Sequence, residues 1–423
     1  MGSERSPGWS IFSPFASFQR NARLLILAVF LDGMAVSFGM LFFNFFILAR
    51  GYNVGFLGLA NSMPAVAALA LGFPLGRFSD RVGYRASMLL GIAVSYSAFG
   101  VALCTPSPLI LLAAMALQGA GSTLFYLSVS PFLMKHSGPA ERSQLFSTNV
   151  GLQILAGAGG SFIAGQLPGR LETFLRIAPG SAVSYQAVLI IGLICGSFAL
   201  LPLLLAKPAP PPAVPLPEMQ RPETAPFSPL EKVFVLRMCV LNLTIGSGAA
   251  LLIPYLNLFF RQRFFLADSW LGALFSLSAV LTGLATLLSP WVANRLGSKT
   301  RAVAATQTGS LLFLLILGFS PTLPVAAVAF FLRAGLMNMS IPLLSAFCME
   351  KVPEGKRGVV SSLTQMAWQG GWAVGPFISG FVQGRWGFPP LFIVTGFLYA
   401  VAIVLIWRFF IPLETGHPAV TPE

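Results

Sequence analysis

The sequence predicts an all-α membrane protein of twelve transmembrane helices, arranged as two pseudo-symmetric six-helix bundles. Three observations predict it. Charged residues make up 9% of the 423 positions and apolar residues 56%, against roughly 25% charge in an ordinary soluble domain, so a water-facing surface could not be covered. Apolar runs of about 20 residues, enough to cross roughly 30 Å of hydrocarbon, recur along the whole chain. Finally, the two halves of the chain repeat each other.

The apolar runs place spans at about 24–48, 55–76, 86–105, 108–133, 143–166, 184–206, 233–260, 270–292, 302–320, 323–348, 358–382 and 388–411. Between the sixth and seventh lies Lys207-Pro208-Ala209-Pro210-Pro211-Pro212, with further prolines to Pro229. Such a segment reads as an extended polyproline spacer. The expected organisation is a leader at 1–23, a first bundle at 24–206, a linker at 207–229, a second bundle at 230–412 and a tail at 413–423. The leader is polar, carries Arg5 and Arg20, and lacks a small-residue cleavage site. It reads as a cytoplasmic segment before the first span rather than a signal peptide.

Twelve crossings put both termini on one face. Assigning loops alternately, that face collects 19 of the 26 basic residues, among them Arg77, Arg81, Arg85, Arg142, Lys207, Arg295 and Arg357. The opposite face collects six, and Arg333 falls inside a span. This asymmetry predicts cytoplasmic termini in a plasma membrane, the inner membrane if the source is bacterial. The formal net charge of +13 therefore suits anionic headgroups and not nucleic acid.

Composition excludes several other functions. The four cysteines, Cys104, Cys195, Cys239 and Cys348, stand singly with no paired spacing, as small packing residues do. His136 and His417 fall in a loop and the tail, and no metal-ligand spacing occurs. Gly297-Ser298-Lys299-Thr300 lacks the glycine directly before its lysine that a phosphate loop needs. No nucleophile–base constellation points to an enzyme. No cofactor is expected, and the expected partners are a small-molecule substrate, a proton as candidate coupling ion and the lipid bilayer, with the protein a monomer.

The repeat is direct. Asn44-Phe45-Phe46, ending span one, parallels Asn257-Leu258-Phe259, ending span seven; Asp80-Arg81-Val82-Gly83-Tyr84-Arg85 parallels Asn294-Arg295-Leu296-Gly297-Ser298-Lys299. Gln118 falls opposite Arg333, Arg142 opposite Arg357, and Gly165 opposite Gly380, each at an offset of 215, against 213 and 214 for the two preceding matches. Repeated six-span halves are the mark of a transporter with its site between the repeats near the midplane.

The loop Gly76-Arg77-Phe78-Ser79-Asp80-Arg81-Val82-Gly83-Tyr84-Arg85 resembles the G-x-x-x-D-R-x-G-x-R signature of the major facilitator superfamily. A weaker copy follows span eight, and Gly371 to Gly380 in span eleven resembles the family's Gly-Pro helix pattern. The resemblance covers essentially the whole chain. It implies a signature group of Gly76, Asp80, Arg81, Gly83 and Arg85, with Asp80 against the N-terminal end of span eleven near Arg357. A carboxylate so placed would contribute roughly 0.3–2 kcal/mol and bias the outward-open state. Two positions depart from the family's proton-coupled exporters: Met115 stands where they carry an intramembrane arginine, and span five reads Gly157-Ala158-Gly159-Gly160.

Only Asp32 and Arg333 place charge well inside spans, each at a cost of at least about 2.5 kcal/mol on insertion scales. Asp32 is the coupling candidate, for a proton or cation; a helix-packing hydrogen bond is the alternative. Arg333 could bind an anionic substrate, pair with Asp32 across the cleft or pack. The other cavity candidates are Gln118, Tyr126, Asn149, Gln153, Asn338, Gln365, Trp368, Gln369 and Trp372, on helices that line the cavity by resemblance. Gln365, Trp368, Gln369 and Trp372 recur at helical spacing and share one face. Asn44 and Asn257 read as a symmetric structural pair.

The function expected is secondary active transport by alternating access, as proton-coupled efflux of amphiphilic compounds. Uptake or facilitated passage of a neutral solute such as a sugar is the alternative within transport, and a membrane sensor or scaffold the alternative outside it.

Overall fold

The computed structural model describes residues 18–138, 141–207 and 227–415. The proposed linker core and most of the leader and tail lie outside these residues. The described chain is built from twelve long helical segments: α1 (Arg20–Ala49), α2 (Val54–Val82), α3 (Tyr84–Cys104), α4 (Pro108–Lys135), α5 (Arg142–Leu175), α6 (Ala182–Leu205), α7 (Pro229–Phe264), α8 (Asp268–Leu287), α9 (Lys299–Phe319), α10 (Leu323–Lys351), α11 (Arg357–Trp386) and α12 (Pro389–Glu414). Many outrun the apolar stretch that announced them. A helix of 30 residues is about 45 Å long, so its ends continue past the hydrocarbon into the headgroup region. Eleven of the twelve are apolar enough to cross a membrane by composition. The exception is α11, diluted by Ser361, Ser362, Thr364, Gln365 and Gln369.

Local chemistry sets the helix ends. Asn53, Ser107, Ser181 and Ser298 each accept a hydrogen bond from a backbone N–H in the first turn of the helix that follows, satisfying a donor the helix cannot. Ser228 and Glu231 form a reciprocal capping box at the start of α7. A single residue, Gly83 at φ +94°, joins α2 to α3, a backbone conformation that only glycine adopts without strain. The last third of α7 is interrupted by a tight turn over Ile253–Tyr255 around Pro254, which removes one backbone donor from the helix.

Packing repeats between the halves as the sequence does. In the first half α1 lies against α5 and α6, while α4 lies against α2 and α3. In the second half α7 lies against α11 and α12, while α10 lies against α8 and α9. The halves meet through two equivalent pairs, α2 with α11 and α5 with α8.

Both pairs cross on glycine. A Cβ added at Gly58 would come within 2.5 Å of the Pro376 carbonyl oxygen and 3.1 Å of the Gly380 Cα. A Cβ at Gly165 would fall 2.6 Å from the Gly272 Cα. Gly58 and Gly272 are one repeat apart, as are Gly165 and Gly380, so one close contact has been made twice. Small residues at such crossings bring backbones together where lipid supplies no hydrophobic drive.

These crossings lie at the start of α2 and α8 and toward the end of α5 and α11, on the face opposite the one where α1 begins and α12 ends. That face is called distal here, and the other terminal. On the distal face the halves are closed; on the terminal face they stand apart.

Candidate functional site: a cavity between the halves

Two connected cavities occupy the gap. A vestibule of about 880 Å³ opens toward the terminal face between α2, α4 and α11, and an inner pocket of about 350 Å³ continues it toward the distal side. Ala68, Ser122, Thr123, Tyr126 and Gln369 line both.

The inner pocket is largely apolar and aromatic, with Phe43, Phe99, Met115 and Trp372 in its wall. Asp32 is the one carboxylate, and the one residue of a type charged at neutral pH, among the described residues that line it. The carboxylate is 5% exposed. Tyr96 Oη donates to its Oδ1 at 2.8 Å and Tyr126 Oη donates to its Oδ2 at 2.6 Å. Two hydrogen bonds to an anion are the compensation that makes burying the charge tolerable. Close packing fixes the carboxylate's height: Gly160 of α5 meets Met34 of α1, and Tyr96 lies against Gly196 of α6.

The distal end of the pocket is a hydrogen-bonded floor. Asn44 Nδ2 donates to Asn257 Oδ1 at 2.9 Å, Asn257 Nδ2 donates to the Leu41 carbonyl at 2.8 Å, and Asn61 Nδ2 donates to Asn44 Oδ1 at 3.0 Å. Asn44 also donates to the Pro254 carbonyl at the break in α7. The floor thus links α1, α2 and α7 across the two halves. In membranes an interhelical hydrogen bond contributes about 0.6 kcal/mol on average and up to about 1.7. Asn44→Ala and Asn257→Ala are each expected to lower the melting temperature in detergent. The double variant should cost about 1 kcal/mol less than the sum of the two; strict additivity would rule out a shared latch.

The structure gathers part of the expected site. Asp32, Gln118, Tyr126, Gln369 and Trp372 line the inner pocket, and Gln365 and Gln369 the vestibule. Trp372 carries a buried indole N–H with no acceptor. Trp368, 6.5 Å from Trp372 between ring centroids, turns instead onto Gly246 of α7. Asn338 donates locally to the Ala334 carbonyl. Asn149 is buried on α5 with its side-chain oxygen unpaired, and Gln153 is half-buried on the same helix; neither lines the cavities described.

Arg333 also stands apart from them. It is 5% exposed, 5.9 Å from the Phe330 ring, and its Nε has no partner. Among the described residues it forms no ion pair with Asp32 or any other acid.

The signature loop divides its labour. Gly76 and Asp80 line the vestibule, and Asp80 accepts a hydrogen bond from Tyr84 Oη at 3.2 Å. Arg85 donates to the Leu203 and Leu204 carbonyls, clamping the start of α3 onto the end of α6. Arg81 is exposed, and the Arg77 guanidinium covers the Phe73 ring at 4.2 Å. The expected contact of Asp80 with α11 is not made here. Arg357 pairs with Glu354 and donates to the Met349 and Val352 carbonyls. The open vestibule lies between Asp80 and the start of α11.

Sequence reasoning missed Tyr96 and Asn61. Each sits in a short polar interruption of an apolar span, Asn61-Ser62 and Ser95-Tyr96-Ser97, which was a signal, but the lining helices suggested by the family resemblance did not include α2 or α3.

Comparison with known proteins agrees with this architecture. A family model described as Major Facilitator Superfamily matches residues 25–376 and 271–423. Multidrug resistance protein MdtG of Salmonella paratyphi C is 26% identical over 170 residues, 39% of this chain and 41% of that protein. A putative sugar efflux transporter of Deinococcus radiodurans is 28% identical over 170 residues, 38% and 42% of the two chains. The chain spans less than half the length of the curated relatives it matches. Among solved structures, a bacterial homologue of the human lysosomal transporter Spinster, inward-facing and unoccupied, superposes with a TM-score of 0.77 at 15% identity, covering 96% of this chain and all of that one. With twelve long helical segments among the described residues, two matched halves, a cavity between them and a family model spanning nearly its whole length, this chain belongs to the major facilitator superfamily and is a multi-pass membrane protein.

Proposed function

We propose that this transporter exports amphiphilic compounds in exchange for protons, with its terminal face on the cytoplasm and its cavity inward-open. The observation that carries the reading is the lone carboxylate of Asp32 in the wall of an aromatic pocket. The basic residues of the terminal face support the orientation. Relatives named for multidrug resistance and sugar efflux support export.

The mechanism follows from charge. Met115 stands in the pocket near Gln118, so no arginine there neutralises Asp32. A proton arriving from outside and a substrate arriving from the vestibule then compete for one acid. Protonation removes the charge, weakens the hold on a polar or cationic substrate and lets the halves return empty.

The test is transport of ethidium, an aromatic amphiphile, by protein reconstituted in vesicles, with and without a pH gradient. Accumulation that follows the gradient is expected; flux indifferent to it would overturn proton exchange. A second reading, passage of a neutral solute such as a sugar, rests on Gln365, Gln369 and the free indole N–H of Trp372. It predicts that indifference, so one assay separates the two.

The tryptophans should also separate. Trp372→Phe is expected to weaken ethidium binding several-fold with little change in stability. Trp368→Ala is expected to lower stability by about 3 kcal/mol through the space it opens against Gly246. Equal loss of affinity in both would undo this division.

A further inference from the structure

Asp32 is held by two phenols of identical chemistry and unequal access. Tyr126 lines both the vestibule and the inner pocket and is 44% exposed. Tyr96 lines the inner pocket only, and its ring is wedged against Gly196, where an added Cβ would strike it. The carboxylate itself lies behind them at 5% exposure. The titratable groups facing it are Tyr96 from α3, Tyr126 from α4 and, beside Tyr96, the Cys195 thiol of α6. The other helices around it, α2, α5 and α11, carry acids and bases only toward their ends.

From this asymmetry we infer that Tyr126 is the proton relay between the vestibule and Asp32, while Tyr96 positions the carboxylate without conducting. The inference rests on the proton-exchange reading and assigns a residue to its central step. In the step, a proton from hydronium in the vestibule bonds to Tyr126 Oη as the hydroxyl proton already there passes to Asp32 Oδ2. One O–H bond breaks at the phenol and one forms there, so the phenol is neutral before and after. The carboxylate ends as a carboxylic acid, and release reverses both transfers. The 2.6 Å separation of Oη and Oδ2 is within the reach that proton transfer requires.

The experiment needs no substrate. The full chain in liposomes is subjected to a pH jump while the carboxylic acid C=O stretch is followed by time-resolved infrared spectroscopy. The band missing in Asp32→Asn identifies the group. Tyr126→Phe is expected to slow the appearance of this band about a hundredfold, the scale of a positioned acid–base group. Tyr96→Phe is expected to move the titration midpoint and to change the rate far less than Tyr126→Phe does. Tyr126→difluorotyrosine, which keeps the side chain's shape and changes its acidity, should alter the rate even if the phenylalanine variant folds poorly. A wild-type rate in both Tyr126 variants, or equal slowing in Tyr96→Phe, would overturn the relay. Ethidium flux indifferent to a pH gradient would instead overturn exchange, whatever the infrared rates.

Discussion

Asp32→Asn is expected to leave the protein folded and able to exchange substrate across the membrane, but to abolish its response to a pH gradient. Asparagine has nearly the same shape. Its side-chain oxygen can still accept from one phenol, and its NH2 can donate to the oxygen of the other, so the links to Tyr96 and Tyr126 need not be lost. The change in stability should stay within about 1 kcal/mol. What disappears is the capacity to take up a proton. A wild-type exchanger moving one substrate per proton gains about 1.4 kcal/mol from a gradient of roughly one pH unit and concentrates its substrate about tenfold. The variant should reach equal concentrations on both sides and no more. Ethidium accumulation in vesicles, read beside counterflow without a gradient, checks both halves of the expectation. If accumulation survives, coupling resides elsewhere; if counterflow is also lost, Asp32 binds substrate so strongly that its charge is indispensable.

Much of this architecture was legible because it repeats. The run at 358–382 marks α11 although its glutamines and serines leave it short of the apolarity of the other eleven, and the match of Arg357 to Arg142 agrees with that placement. The repeat also explains Asn44 and Asn257. Residues on a pseudo-twofold axis meet their own counterparts, and these two are hydrogen-bonded to each other. Gln118 and Arg333 are equally matched in sequence but lie off that axis. One lines the pocket with Nε2 donating weakly to Ser95 at 3.4 Å, and the other is buried away from the cavities. Tyr96 was harder to read. Whether a single tyrosine in an apolar span faces lipid or a carboxylate depends on the rotation of α3, which its weakly patterned sequence does not specify. Asp80 illustrates another limit. Its sequence motif resembles one that docks on α11, yet a contact that forms in one conformation and opens in another cannot be assigned to a single structure from its residues.

A leucine at Gly165 should act in the opposite way to Asp32→Asn, sparing the chemistry and changing the conformational balance. With the Gly272 Cα only 2.6 Å from where a Cβ would sit, α5 and α8 must move apart before even that one carbon fits. Overpacking of this kind typically costs about 1–3 kcal/mol. The cost falls on the conformation in which the distal faces touch and is relieved when they part. The population should therefore move toward distal-open by roughly 5- to 150-fold. Spin labels on the distal ends of α5 and α8 would register this as a longer distance distribution, with Gly169→Leu as the control, since a Cβ at that position on the same helix meets nothing within 4 Å. The pseudo-symmetric substitution Gly380→Leu should reproduce the effect, because Gly380 meets Val54 and Gly58 as Gly165 meets Asp268 and Gly272. Unchanged distances in both variants would mean that the glycine crossings merely fill space and do not hold the distal gate shut. A shift in one variant alone would confine the gate to that crossing and break the equivalence that the repeat requires.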